Sequence, residues 1–163
     1  TEKMNSDKSR MLEVLENWKA RQGMDKPYLY LVAVSGGGTR SATFTLGVMQ
    51  KLDSLSGGKL MRQTFMITGA SGGMLGAAYF RALSRERDLG KPVNLQDPAY
   101  VDDISKDLLN PTFSAFVARD LAAPAQKFSV GEYEYVKDRA YSFEQQLNKN
   151  TRFLLDKELG MLA

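Results

Sequence analysis

Apolar residues recur at helical spacing from about Ser6 to Gly23, with Met11, Leu12, Val14, Leu15 and Trp18 set among Glu13, Glu16, Lys19 and Arg21. That pattern predicts an amphipathic helix, and its mixed charges favour packing on a sheet over a membrane or partner helix. Gly23 and Pro27 end it. Tyr28 to Val34 is then an unbroken apolar run, which predicts a strand buried on both faces in a parallel sheet. Leu46, Met49, Leu52 and Leu55 share one face of a predicted helix over Ser41 to Leu55, and Ser56 to Lys59 reads as a loop. Phe65 to Thr68 predicts a second buried strand, and Met74, Leu75, Ala77, Ala78, Phe80, Ala82 and Leu83 a largely buried helix.

Strand, helix, strand, helix with short connections predicts an α/β fold with a mainly parallel, doubly wound sheet and right-handed crossovers. Reactive groups in such sheets sit at the carboxyl ends of strands. After Arg87 the rhythm changes: residues 88–100 read as a surface loop, with short helices over Val101 to Leu109 and Phe113 to Arg119 on either side of Pro111. Leu121 to Phe128 is apolar without a clear period, which suits packing on the sheet or a wall of an acyl-chain pocket. Tyr141 to Asn148 predicts a further helix, and Phe153-Leu154-Leu155 an apolar segment without evident partners. The organisation expected is one domain: residues 1–27 a helix and linker, 28–88 a β-α-β-α core, 89–163 a loop and short helices.

Composition narrows the chemistry. A chain of 163 residues, 43% hydrophobic and 25% charged, can bury about two thirds of its unfolded surface as one unit. A formal charge of +3 is too small and dispersed to argue for nucleic acid, and is compatible with peripheral contact at an anionic membrane. The most apolar region, Phe65 to Phe80, is interrupted by glycines and falls short of the roughly 20 residues a spanning helix needs; the compartment cannot be read. Cysteine is absent, and so is histidine, so neither a Ser-His-Asp triad nor a His-rich zinc site can be completed from these residues. No metal or cofactor is called for. Gly57-Gly58-Lys59 is not a Walker loop, because Leu60 stands where Ser or Thr is required. The Gly36 run fails the dinucleotide fingerprint, Ser41 replacing its third glycine.

Gly69-Ala70-Ser71-Gly72-Gly73 is a G-x-S-x-G arrangement between the second strand and its helix, the context that exposes a nucleophilic hydroxyl on a sharp turn. The free N–H groups and dipole of that helix start favour negative charge beside Ser71. Gly36, Gly37 and Gly38 follow the first strand in the same way, and their amides are candidate donors to the oxyanion of an acyl-transfer step. Either motif alone is common and often only closes a turn; their pairing points to one pocket above two strand ends.

Together these motifs resemble the patatin-like phospholipase family. Ser35-Gly36-Gly37-Gly38-Thr39-Arg40 resembles its oxyanion loop and Gly69 to Gly73 its nucleophile elbow, while Leu109 to Thr112 and Asp138 to Glu144 are similar, less specifically, to later parts of bacterial members. The resemblance covers most of Tyr28 to Glu144. It implies a three-layer sandwich and a lipid acyl hydrolase, of phospholipase A or lysophospholipase type, working through a Ser-Asp dyad. In that scheme Ser71 attacks the ester carbonyl of a phospholipid or other lipid ester, and the amides of Gly37, Gly38 and Gly72 hold the oxyanion. The arginine after the glycines is similar to one in cytosolic phospholipase A2 catalytic domains, which makes Arg40 a candidate phosphate or head-group contact; the alternative is a surface cation at a helix start. The family's aspartate lies in a downstream D-G-[GA] segment, and no Asp here is followed by Gly. The expectation is therefore the N-terminal part of a larger domain whose C-terminal part brings the aspartate, with little activity on its own. The alternatives are a non-catalytic lipid-binding or interaction fragment of this fold, and a serine esterase or peptidase of another fold with a histidine elsewhere.

Overall fold

The computed structural model describes residues 2–122 and 126–157, with side chains from residue 6 onward. Its elements run α1 (Glu2–Gln22), β1 (Tyr30–Val34), α2 (Gly38–Leu55), α3 (Leu60–Gln63), β2 (Thr64–Gly69), α4 (Ser71–Asp88), α5 (Ala99–Ser105), α6 (Leu109–Ala115), a π-helical turn (Phe116–Leu121), β3 (Lys127–Val130), β4 (Tyr133–Val136) and α7 (Arg139–Asn150). β1 and β2 pair in parallel, with Val32 opposite Ile67 and Val34 opposite Gly69. β3 and β4 form a separate antiparallel hairpin. The chain is thus mixed α/β, with a two-stranded parallel sheet and helices.

The core lies between the sheet and α2 and α4. Ala42, Leu46 and Met49 meet Ala77, Phe80 and Leu83, with Tyr30, Val34 and Ile67 beneath them. Leu46 and Phe80 are fully buried, each contributing roughly 2–3 kcal/mol of transfer free energy. The two helices approach closely because Gly76 of α4 lies on the backbone of Ala42: a Cβ there would run into the Ala42 carbonyl oxygen. The expected burial of β1 on both faces is corrected. Only alternate residues are covered; Leu31 is 62% and Met66 46% exposed on the opposite face, because α2 and α4 both pack on the Tyr30–Val34–Ile67 side.

Other boundaries differ for local reasons. α2 and α4 begin at Gly38 and Ser71, ahead of the apolar periodicity, since their first turns are glycine-rich and held by packing rather than propensity. Pro111 does not divide two helices but sits in the first turn of α6, where its missing N–H has no acceptor to lose. Asp107 Oδ1 accepts from the N–H groups of Leu109 (2.8 Å) and Asn110 (3.2 Å) at that helix start. The β3–β4 hairpin was not anticipated. Its two-residue turn has Gly131 at φ +59°, the position where hairpin turns favour glycine, and Phe128 stacks on Tyr135 with ring centroids 5.5 Å apart. Of the apolar stretch expected to pack on the sheet or wall a pocket, Ala123 to Ala125 lie outside the described residues, while Leu121 is exposed and Phe128 packs on Tyr135 and Tyr141.

The later elements are fastened to this core by polar clamps. Gln50 Nε2 donates to the carbonyls of Leu95 (2.8 Å) and Asp97 (3.1 Å), fixing the 89–98 loop. Asp103 of α5 is buried and pairs with Lys106 at 2.6 Å and Arg152 at 2.8 Å. Leu154 and Leu155 pack on the core, so the last apolar segment does have partners. Glu86 is buried near the end of α4 between Lys157, at 2.8 Å, and Lys91.

Two outcomes follow for stability. Gly76→Ala gains helix propensity but forces α2 from α4, so urea unfolding is expected to show a net loss of about 2–4 kcal/mol. The Lys157 and Lys91 hydrogen bonds hold the Glu86 carboxyl down at about 2, from an ordinary 4.5. A depressed carboxylate stabilises the fold above its unfolded value and loses that contribution as pH falls toward the folded one. Glu86→Gln should therefore lower Tm at pH 7 but converge with the parent between pH 4.5 and 2, measured by thermal melts across that range.

Candidate active site

The register that places Val34 opposite Gly69 brings the carboxyl ends of β1 and β2 level, so α2 and α4 start side by side. Ser71 is the first residue of α4 and is held at φ +50°, a left-handed conformation that costs a non-glycine residue about 1–2 kcal/mol. Ala70 before it is extended, with φ −141° and ψ 154°. Strand, strained serine and helix thus succeed one another as a nucleophile elbow requires.

Packing holds the serine in that turn. A Cβ on Gly72 would overlap the Gly38 carbonyl, and one on Gly73 would overlap the Ser35 carbonyl; the elbow can rest on the glycine loop only because those positions carry no side chain. Gly36 faces the serine, since a Cβ built on it would lie 3.3 Å from Ser71 Cβ. The loop is closed by Ser41, whose Oγ donates to the Ser35 carbonyl at 2.6 Å. Gly37 caps α2 at φ +145° and Gly38 follows at +61°, conformations that glycine adopts without strain. Ser71 is exposed, and its hydroxyl donates to no other described residue.

Electrostatically the space beside Ser71 favours negative charge. Gly38 and Gly72 lie in the first turns of two helices of 18 residues each, so their N–H groups have no intrahelical acceptor. Neither first turn carries an acidic residue, which leaves both dipoles uncompensated toward the space beside Ser71. Arg40 stands exposed in the first turn of α2 and forms no ion pair with a described residue. The structure therefore brings together Ser71, Gly37, Gly38 and Gly72, with Arg40 on the adjoining helical turn.

No described carboxylate is hydrogen-bonded to Ser71. Asp53 holds Arg87 at 3.1 Å, Asp103 and Glu86 serve the clamps above, and Asp138 caps α7 by accepting from Tyr141 N at 2.9 Å. Tyr79 and Asp103 form a buried pair away from the elbow in which burial, then the carboxylate, raises the phenol. Sequence reading missed Ser41 and Gly76 as supports of the site. The spacing Gly72-Gly73-x-x-Gly76 was the available signal for a helix pressed against a neighbouring backbone. Beside the glycine loop, an apolar groove of about 650 Å³ runs between β1 and α2, from Ser35 and Ser41 to Leu55. Comparison with protein-family models, curated proteins and solved structures finds no match.

The strain at Ser71 can be measured directly. Ser71→Gly removes both the hydroxyl and the left-handed penalty, whereas Ser71→Ala removes only the hydroxyl. The glycine variant should be the more stable by about 1 kcal/mol in urea unfolding; equal stabilities would show that the elbow is unstrained.

Proposed function

We propose that this chain carries the nucleophile and oxyanion half of a serine-dependent lipid acyl hydrolase. The observation that carries the reading is the left-handed Ser71 set against the Gly36–Gly38 loop at the shared start of α2 and α4. Ser71 Oγ would attack an ester carbonyl, and the amides of Gly37, Gly38 and Gly72 would receive the oxygen as it becomes negative. One such donor is typically worth 10²–10³ in rate. Arg40 would meet the phosphate of a phospholipid, its guanidinium matching two oxygens at once. The ester then cleaves as the alkoxide leaves with a proton, and water hydrolyses the acyl-serine.

That cycle needs a base to take and return the Ser71 proton. With no histidine in the chain and the buried carboxylates engaged elsewhere, the reading assigns this role to an aspartate from a further part of a three-layer, patatin-like domain. Two features support such an extension. Leu31, Ala33 and Thr68 lie exposed on the face of the sheet opposite α2 and α4, where a second helical layer would rest. The free edge of β1 borders an apolar groove, and parallel sheets are ordinarily covered and continued there. The substrate class follows from the family resemblance together with Arg40. Among the described residues no helix is long and apolar enough to cross a membrane.

A fluorophosphonate probe, with peptide mass spectrometry, tests the reading. Ser71 should be modified at least about tenfold faster than the exposed serines elsewhere, given preorganised oxyanion donors, and Ser71→Ala should remove that signal. Reaction at Ser71 no faster than at other exposed serines, in folded protein both as this chain and extended through the aspartate-bearing part, would replace the hydrolase with a non-catalytic lipid-binding fold.

A further inference from the structure

A second cavity, of about 790 Å³, lies between α1, the Gly57–Lys59 loop, β2 and the later half of α4. Its wall carries Arg21, Lys59, Arg62, Arg81 and Arg87 against one acidic residue, Asp88. Arg87 is neutralised in place: it pairs with Asp53 at 3.1 Å and Asp88 at 3.3 Å and donates to the Gly58 carbonyl at 3.2 Å. The other four have no ion-pair partner among the described residues. All four are solvent-exposed, and Arg21 Nε also donates to the Asn17 carbonyl at 3.3 Å; like charges lining one cavity raise its local potential for an anion. The opposite wall is Trp18, only 7% exposed, whose indole N–H is buried without an acceptor. Gln22 Nε2 donates to the Arg62 carbonyl at 2.9 Å, and Trp18 meets Phe65 edge-on at 6.0 Å, so α1 closes the cavity through two fixed contacts.

We propose that this cavity binds a phosphate-bearing ligand, at a site separate from Ser71. Arg81 and Arg87 lie 10 and 16 residues beyond Ser71 on α4, about 15 and 24 Å along the helix. Phosphate suits the donors better than a carboxylate. Three arginine forks and a lysine without an ion pair exceed what one negative charge and two oxygens can satisfy, whereas a phosphate offers more charge and more acceptor oxygens. The volume exceeds that of phosphate alone, and Val14, Met61 and Met66 give the remaining wall an apolar character. The ligand is therefore a phosphate with a body attached, either a free phosphate ester or polyphosphate, or the head group of an anionic lipid. The site does not use the Gly57–Lys59 loop as a nucleotide loop; the loop is only one rim of a basic cavity.

Trp18 is the only tryptophan of the chain, which makes its fluorescence a local reporter. Titration with inorganic pyrophosphate, and separately with dihexanoyl phosphatidic acid below its micelle concentration, should give a saturable change in Trp18 emission, confirmed by calorimetry. The doubly substituted Arg62→Ala/Arg81→Ala protein should bind at least tenfold more weakly. Lys51→Ala, which removes an exposed cation outside the cavity, should bind as the parent does. Tighter binding of the phosphatidic acid assigns the site to a lipid head group, and tighter binding of pyrophosphate to a free phosphate. No saturable change with either probe up to 10 mM overturns the proposal, as does equal binding by the parent and the Arg62→Ala/Arg81→Ala protein when circular dichroism shows both folded.

Discussion

The structure depends on how closely α4 can approach the segment that leaves β1. Gly72, Gly73 and Gly76 rest on the backbone of Gly38, Ser35 and Ala42 in turn, forming a seam in which main chain meets main chain. A methyl group at any of the three would collide with a carbonyl oxygen rather than with a side chain able to turn away. The seam aligns the starts of α2 and α4, and the β1–β2 register sets both above the ends of the same two strands. The strained serine, the free amides and the two unopposed helix dipoles all follow from that one contact.

The same economy of charge runs through the rest of the chain. Acidic residues are absent from the first turns of α2 and α4, where they would offset the two helix dipoles. The buried carboxylates appear where later elements must be tied down: Asp53 to Arg87, Asp103 to Arg152 and Lys106, Glu86 to Lys157 and Lys91. Of these, Glu86 is held below the usual carboxylate range by Lys157 and Lys91, which makes it a poor general base. The described residues thus divide into an end that carries the strained serine and two uncompensated helix starts, and a distal part where carboxylates serve as fasteners. The basic cavity beside Trp18 departs from that pairing, since four of its five cations have no ion-pair partner among the described residues.

The β-α-β-α core was legible because its period and its punctuation agree: two apolar runs, each followed by glycines and then by helical spacing. Ser71, Gly37, Gly38 and Gly72 could be placed from that order alone, since strand ends and helix starts fix where their amides lie. The later chain was harder to read. Pro111 looks like a helix break until its place in the first turn is known, and Phe128 to Val136 alternates too briefly around Gly131-Glu132 to stand out as a hairpin. The one-sided burial of β1 was hidden because Leu31 and Ala33, exposed here, are as apolar as their covered neighbours Val32 and Val34. The cavity was invisible in sequence because its cations come from three separate stretches of the chain, Arg21, Lys59 to Arg62, and Arg81 to Arg87.

The most direct test of the account is a crystal structure of the chain after phosphonylation of Ser71, which fixes a tetrahedral oxygen where the oxyanion of an acyl transfer would form. The account predicts that oxygen at about 3 Å from the amide nitrogens of Gly38 and Gly72, with Ser71 still at positive φ. A phosphonyl oxygen turned to solvent, with those amides unpaired or the Gly36–Gly38 loop displaced from the serine, would contradict it.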